Sequence, residues 1–171
     1  KVPYIPGHEF SGTIEAIPEG AQSSFKEGDR VVAETVVSVC GTCDACKKGI
    51  YNLCKQRKNI GGGMNGAFTS YVKVPLDYLH RLPENVSFEE GAMVEPVCVC
   101  YNATQVNSNI NEGDFVVIIG VGTIGLLCAQ FANLSGATVA VIGLPEDHFR
   151  LDVAKNNGAD HVLLANEDPV E

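Results

Sequence analysis

Apolar positions fall in two textures along the chain. Through the first hundred residues they come in short bursts, SGTIEAI at 11–17, DRVVAETVVS at 29–38 and AFTSYVKVP at 67–75. Turn-forming clusters separate the bursts: PEG at 18–20, KEGD at 26–29 and GGGMNG at 61–66. Short β-branched runs bounded by Gly, Pro and Asn predict strands, and this rhythm predicts an irregular β domain. The phrase KEGDRVV returns as NEGDFVV at 111–117, one turn chemistry used twice to launch a strand.

From SFEEGAMVEP, residues 87–96, the pattern turns helical. Ser87 predicts an N-cap, with Glu89 and Glu90 in the first turn, where the helix dipole favours anions. A second helix is expected over roughly 97–106. Residues 114–144 then read as a fully apolar strand, a helix and another apolar strand. That order predicts a parallel sheet with crossover helices. A further helix, ended by Gly158, leads to a third strand beginning near His161. The expected fold is α/β, an irregular β domain over 1–95 followed by a partial doubly wound parallel sheet over 96–171. Three strands are half of a dinucleotide fold, so that sheet reads as truncated.

Charge narrows the partners. The net charge is −9, and a nucleic-acid binder normally shows a basic stripe. The short basic clusters, Lys47-Lys48 and residues 55–58, do not form one, so nucleic acid is not expected as a partner. The longest apolar runs are broken by Gly, Ser, Asn and Gln and read as neither a membrane span nor a secretory signal.

Cysteine usage brings in chemistry. Four of the seven cysteines, Cys40, Cys43, Cys46 and Cys54, lie within fifteen residues, in the spacing C-x2-C-x2-C-x7-C. Four thiolates suffice for tetrahedral zinc and leave no coordination position open, which describes a structural rather than a reactive metal. Disulfides and an iron–sulfur cluster are the rival readings. Cys98, Cys100 and Cys128 lie far off among apolar neighbours, and Cys98 and Cys100 are expected to be buried thiols. This distribution fits a cytoplasmic protein better than a secreted disulfide framework.

Gly120, Gly122 and Gly125 form G-x-G-x-x-G between a predicted strand and a predicted helix. The first glycine allows a tight turn, the second admits a pyrophosphate, and the third lets helix and strand pack closely. A ligand-free glycine turn is the alternative. The carboxylate that usually ends the next strand is replaced by Gly143, with Glu146 and Asp147 close behind, which leaves NAD and NADP both open. A second metal candidate combines His8 and Glu9, in IPGHEFSG, with Glu95, in MVEPVCVC. A satisfied structural histidine, and a Glu95 that merely ends a helix before Pro96, are the alternatives.

PGHEFSG, the four-cysteine spacing, GAF-x2-YV-x-VP, E-x-GAM-x-EP and G-x-G-x-x-G occur in this order over essentially the whole chain. The combination closely resembles the zinc-dependent medium-chain alcohol and polyol dehydrogenases. Glu95 stands where alcohol dehydrogenases proper carry cysteine, so the resemblance is to the sorbitol (iditol) or threonine dehydrogenase branch. It implies a GroES-like catalytic domain over 1–95, with a structural zinc loop at 40–54, and the first half of a Rossmann NAD(P)-binding domain over 96–171. It implies a catalytic zinc held by His8, Glu9 and Glu95, and a cofactor site at Gly120, Gly122, Thr123, Ile124, Gly125 and Gly143. The expected activity is hydride transfer between a secondary alcohol or polyol and NAD or NADP, in a cytoplasmic homo-oligomer. The family's further cysteine ligand, in a Cys-Gly-Ser/Thr-Asp segment, is not in this sequence, so the chain reads as an internal fragment. Two other readings follow: an inactive folded fragment that keeps structural zinc and partial nucleotide affinity, and a zinc-ribbon interaction module.

Overall fold

The computed structural model describes residues 4–166. The chain divides into two compact units, Lys1–Glu95 and Pro96–Glu171. In order, the first unit contains strands β1 (Ser11–Thr13), β2 (Arg30–Ala33) and β3 (Val36–Ser38), helix α1 (Asp44–Lys47), strands β4 (Lys58–Asn59) and β5 (Leu79–Arg81), and helix α2 (Phe88–Ala92). β2 is the centre of an antiparallel sheet, with Gly12 opposite Val31 on one side and His80 opposite Val32 on the other. β3 and β4 form a separate antiparallel pair.

The expected strand at 29–38 is thus broken into β2 and β3. At the break Glu34 N donates to Tyr78 O (2.9 Å), while Thr35 O accepts from Ile60 N (3.0 Å), so the chain passes from one sheet to the other. The strand expected at 67–75 does not form. Ala67 N and Phe68 N are instead committed to Gly7 O and Pro6 O, both at 3.0 Å, and no ladder partner lies alongside among the described residues. The third strand of the sheet is β5, which the apolar pattern did not single out.

Both copies of the EGD turn are built alike. Asp29 accepts Lys26 N on its carboxylate (2.9 Å) and donates its own N–H to Lys26 O (3.1 Å). Asp114 repeats this with Asn111, at 2.8 and 3.2 Å. Gly28 and Gly113 take φ of +87° and +84°, which a side chain would resist.

The predicted cap of α2 is present. Ser87 Oγ accepts Glu90 N (3.1 Å) and Glu90 Oε2 accepts Ser87 N (2.7 Å), a complete capping box. Helix α3 (Val94–Tyr101) starts earlier than expected and passes into a wider turn of π type over Asn102–Asn107. Glu95 therefore stands in the first turn of α3, not at the end of a helix.

The second unit adds β6 (Phe115–Ile119), α4 (Thr123–Leu134), β7 (Thr138–Gly143), α5 (His148–Asn156) and β8 (His161–Leu164). The strands are parallel in the order β6-β7-β8, the predicted β-α-β-α-β succession. Val139 and Val141 are fully buried beside Ala129 and Ala132 of α4 and Leu151 and Ala154 of α5. Val116 and Ile118 of β6 pack on this core, whereas Phe115, Val117 and Ile119 on its opposite face are exposed. Cys100 is buried as expected, but Cys98 is exposed. Two residues turn a helix by about 200°, so only one of the pair can face inward.

Asp29 also binds Arg81 Nη1 through Oδ2 (2.7 Å). The Lys26 backbone N–H, ahead of the Arg81 guanidinium, holds its carboxyl below the usual 3.8. The depressed value means that Asp29 adds stability above the ordinary carboxylate pKa and loses that contribution as pH falls through the folded value. Asp29→Asn should lower the urea midpoint at neutral pH, with the gap to the parent closing in strong acid. A gap independent of pH would contradict this role.

Candidate metal and nucleotide sites

The cysteine loop is shaped by local turns. Gly41 and Gly49 take positive φ, and α1 between them directs Cys46 inward toward the buried Cys54. Sγ separations are 3.8 Å for Cys40–Cys46, 3.5 Å for Cys43–Cys46 and 3.7 Å for Cys40–Cys54. A disulfide requires about 2.05 Å. Tetrahedral bonds of about 2.3 Å to one zinc place sulfurs about 3.8 Å apart. The cluster therefore fits a closed four-thiolate metal and not a disulfide pair.

Backbone N–H groups already face the sulfurs, from Cys43 to Cys40 Sγ (3.4 Å) and from Cys40 to Cys54 Sγ (3.5 Å). Hydrogen bonds from the backbone of Thr42 and then Cys43 lower the Cys40 thiol to about 6. The Cys40 N–H lowers Cys54, while burial pushes Cys46 up to about 12. The site favours anionic sulfur at Cys40 and Cys54, and a bound cation would complete the deprotonation at Cys46.

His8, Glu9 and Glu95 are brought together, with one donor atom of each within 4.8 Å of the others. His8 Nε2 lies 3.9 Å from Glu95 Oε1, too far for a hydrogen bond and close enough to share a cation. Two carboxylates and an imidazole suit zinc and leave a position open, the pattern of reactive rather than structural sites. Unlike the cysteine cluster, this site is open, with the His8 side chain 47% exposed.

Two devices unite residues 87 positions apart. Ser11 in β1 donates its hydroxyl to Phe88 O in α2 (2.5 Å). Gly91 lets the two elements approach, since a Cβ there would lie 2.9 Å from both Ser11 Cβ and Leu82 Cδ2. Arg30 ties the lead-in to α2, donating to Pro83 O (2.9 Å), Glu84 O (3.1 Å) and Val86 O (2.5 Å) and covering the Phe88 ring at 4.6 Å.

On the other side, the backbone before His8 is clasped by the glycine loop. Gly66 N donates to Ile5 O (2.6 Å), and a Cβ at Gly61 or Gly66 would collide with Gly7 O. The sequence marked GGGMNG only as a turn. Its bulkless positions were the available sign that another backbone approaches, and Ser11 and Gly91 gave no comparable sign.

At the head of α4, Gly120 takes φ of +102° and a Cβ at Gly125 would strike the Gly120 carbonyl oxygen. These two glycines are explained by the turn and by close packing. Gly122 is not, because a Cβ there would meet nothing within 4 Å. Gly120, Gly122, Thr123, Ile124 and Gly125 line an open depression of about 500 Å³, into which Cys128 also faces. The bare backbone at Gly122 and the helix start beside it suit an anionic pyrophosphate. Gly143 lies outside that lining: a Cβ there would come within 2.8 Å of Leu151 and 3.1 Å of Val121. Its lack of a side chain is accounted for by α5 packing on β7.

Residues 1–84 match the alcohol dehydrogenase GroES-like domain. A sorbitol dehydrogenase of Halalkalibacterium halodurans is 44% identical over 165 residues, covering 96% of this chain and 48% of that protein. Residues 1–84 thus match the family's GroES-like domain, and nearly the whole chain is similar to zinc-type alcohol and polyol dehydrogenases. It is also similar to the crystal structure of Escherichia coli galactitol-1-phosphate dehydrogenase (35% identity, TM-score 0.86, 98% of this chain and 47% of that one). An E. coli alcohol dehydrogenase solved with NADH is similar at 32% identity and a TM-score of 0.87, over 98% of this chain and 49% of its own. The chain spans about half the length of the curated relatives it matches. The architecture is thus a GroES-like unit followed by a partial Rossmann-like parallel sheet.

Gly125→Ala should cost about 1–3 kcal/mol of stability, the range for overpacking against atoms that cannot rotate away. Urea unfolding gives the measurement, and a loss below about 0.5 kcal/mol would contradict the close approach. Gly91→Ala should in addition weaken Co2+ binding at His8, Glu9 and Glu95. The thiolate charge-transfer band of the cysteine cluster should stay unchanged.

Proposed function

We propose that this chain provides the zinc-binding and nucleotide-binding parts of an NAD(P)-dependent dehydrogenase acting on a secondary alcohol or polyol. The convergence of His8, Glu9 and Glu95 within 4.8 Å carries this reading, because three mixed N and O donors with an open position suit a reactive metal. Residues 1–95 are read as the catalytic unit and 96–171 as the first half of the nucleotide-binding unit. Cys40, Cys43, Cys46 and Cys54 hold the structural zinc.

At the reactive site, zinc supplies Lewis acidity toward the substrate oxygen. Glu9 and Glu95 offset the charge of the divalent ion, and the His8 imidazole completes the donor set. The Ser11–Phe88 hydrogen bond and the Gly7 clasp hold the two donor segments in register. In the second unit, Gly122 presents bare backbone to the pyrophosphate of the cofactor, and the α4 N–H groups face its charge. NAD(P)+, when bound, would supply the hydride acceptor for the carbinol carbon, with the hydroxyl proton released to solvent and a carbonyl compound left. The gathering of four cysteines in one metal-competent loop supports a cytoplasmic location, and the family resemblance supports a homo-oligomer. No helix of the described residues is long and apolar enough to cross a membrane.

A second, non-catalytic reading is favoured by the exposure of His8 and by a site with three donors among the described residues. Metal analysis with turnover decides between them. The primary reading expects about two zinc ions per chain, one of them lost in His8→Ala, and polyol-dependent NAD(P)H formation abolished by Glu95→Gln. One zinc, held by the cysteines, and no turnover would establish the competitor.

A further inference from the structure

The choice between NAD and NADP turns on the residues that follow β7. In a doubly wound sheet the dinucleotide runs from the phosphate loop to the end of the second strand, where its adenosine ribose is read. Here the two lie against each other. Gly120 N donates to Ile142 O (2.8 Å), and a Cβ at Gly143 would stand 3.1 Å from Val121. The same Cβ would come within 2.8 Å of Leu151, which is itself buried in the core and has no room to swing aside. Packing of α5 thus keeps the usual ribose carboxylate from position 143, whichever cofactor binds. The glycine is a packing requirement and not room made for a 2′-phosphate.

The charges just beyond are acidic. The single turn Pro145–Asp147 leads from β7 straight into α5. Glu146 is exposed on that turn and has no partner among the described residues. Asp147 accepts Arg150 Nη1 at 3.2 Å, so the guanidinium closest in sequence is already paired. The other cation of residues 96–171 is Lys155, in the last turn of α5 and so at the far end of that helix. A 2′-phosphate brings about two negative charges and needs cations or free N–H groups to meet them. The start of α5 would be a source of positive potential, but the Asp147 carboxylate stands at its N-cap position. A ribose diol needs only an acceptor.

We infer that the nucleotide site takes NAD in preference to NADP, with Glu146 accepting hydrogen bonds from the adenosine ribose hydroxyls. Glu146 and Asp147 together turn away a 2′-phosphate. The inference rests on the nucleotide-binding reading of Gly120, Gly122 and Gly125.

Calorimetric titration of the zinc-loaded chain with NADH and with NADPH provides the test. NADH should bind about tenfold or more tightly than NADPH. About 1 M salt should narrow that ratio, because it screens repulsion of the 2′-phosphate and spares the hydrogen bond to the diol. Glu146→Gln, which keeps an acceptor and removes the charge, should strengthen NADPH binding more than it weakens NADH binding. Glu146→Lys should reverse the preference. Unchanged zinc content and circular dichroism show that both variants are folded. Equal affinities, tighter binding of NADPH, or a ratio indifferent to both variants overturns this inference and leaves the nucleotide site standing. If neither nucleotide binds, the nucleotide-binding reading itself falls, and the inference with it.

Discussion

Most of the first unit depends on a single close approach, that of β1 to α2. Ser11 and Phe88 share a hydrogen bond, and Gly91 removes the side chain that would hold the elements apart. Without that contact His8 and Glu95 belong to unrelated parts of the chain. With it, the segment leading into β1 and the first turn of α3 present donors to the same space. The capping box at Ser87 and the Arg30 contacts at residues 83–86 serve the same end, because they fix where α2 starts and hence where Glu95 emerges.

The two metal candidates are opposite solutions to holding a cation. The cysteine cluster draws its donors from one fifteen-residue loop, buries two of them and closes the sphere. Its geometry is decided by local turns, and the rest of the unit can vary around it. The His8 cluster takes its donors from distant segments, stays open and inherits its geometry from the packing of the whole unit. A structural metal can tolerate local control, whereas a reactive one needs a vacant position and a substrate-sized approach.

How much of this was legible in the sequence follows from the range of each interaction. Short-range features were readable: the Ser87 cap, both EGD turns, the β-α-β-α-β succession and the four-cysteine lobe all depend on residues a few positions apart. The failures were long-range. The strand expected at 67–75 lost its backbone donors to Pro6 and Gly7, some sixty positions earlier. Cys98 was misread as buried because its neighbours are apolar, while burial on a helix depends on which face is covered. The close approach of Leu151 and Val121 to Gly143 was equally invisible, because it depends on how α5 packs on β7. The glycines at 61 and 66 could be seen, but not the backbone that passes over them.

The repeated EGD turn has a consequence for the order in which the molecule assembles. Its bonds link residues three positions apart, so it can form in both units on the timescale of local loop closure, before any distant contact exists. The Ser11–Phe88 contact closes a loop of 77 residues and must wait for the elements on either side. Strand initiation is therefore early and redundant, and convergence of His8 with Glu95 is late. A cation at those residues locks a nearly finished fold; one at the four cysteines can bind while the chain is still searching.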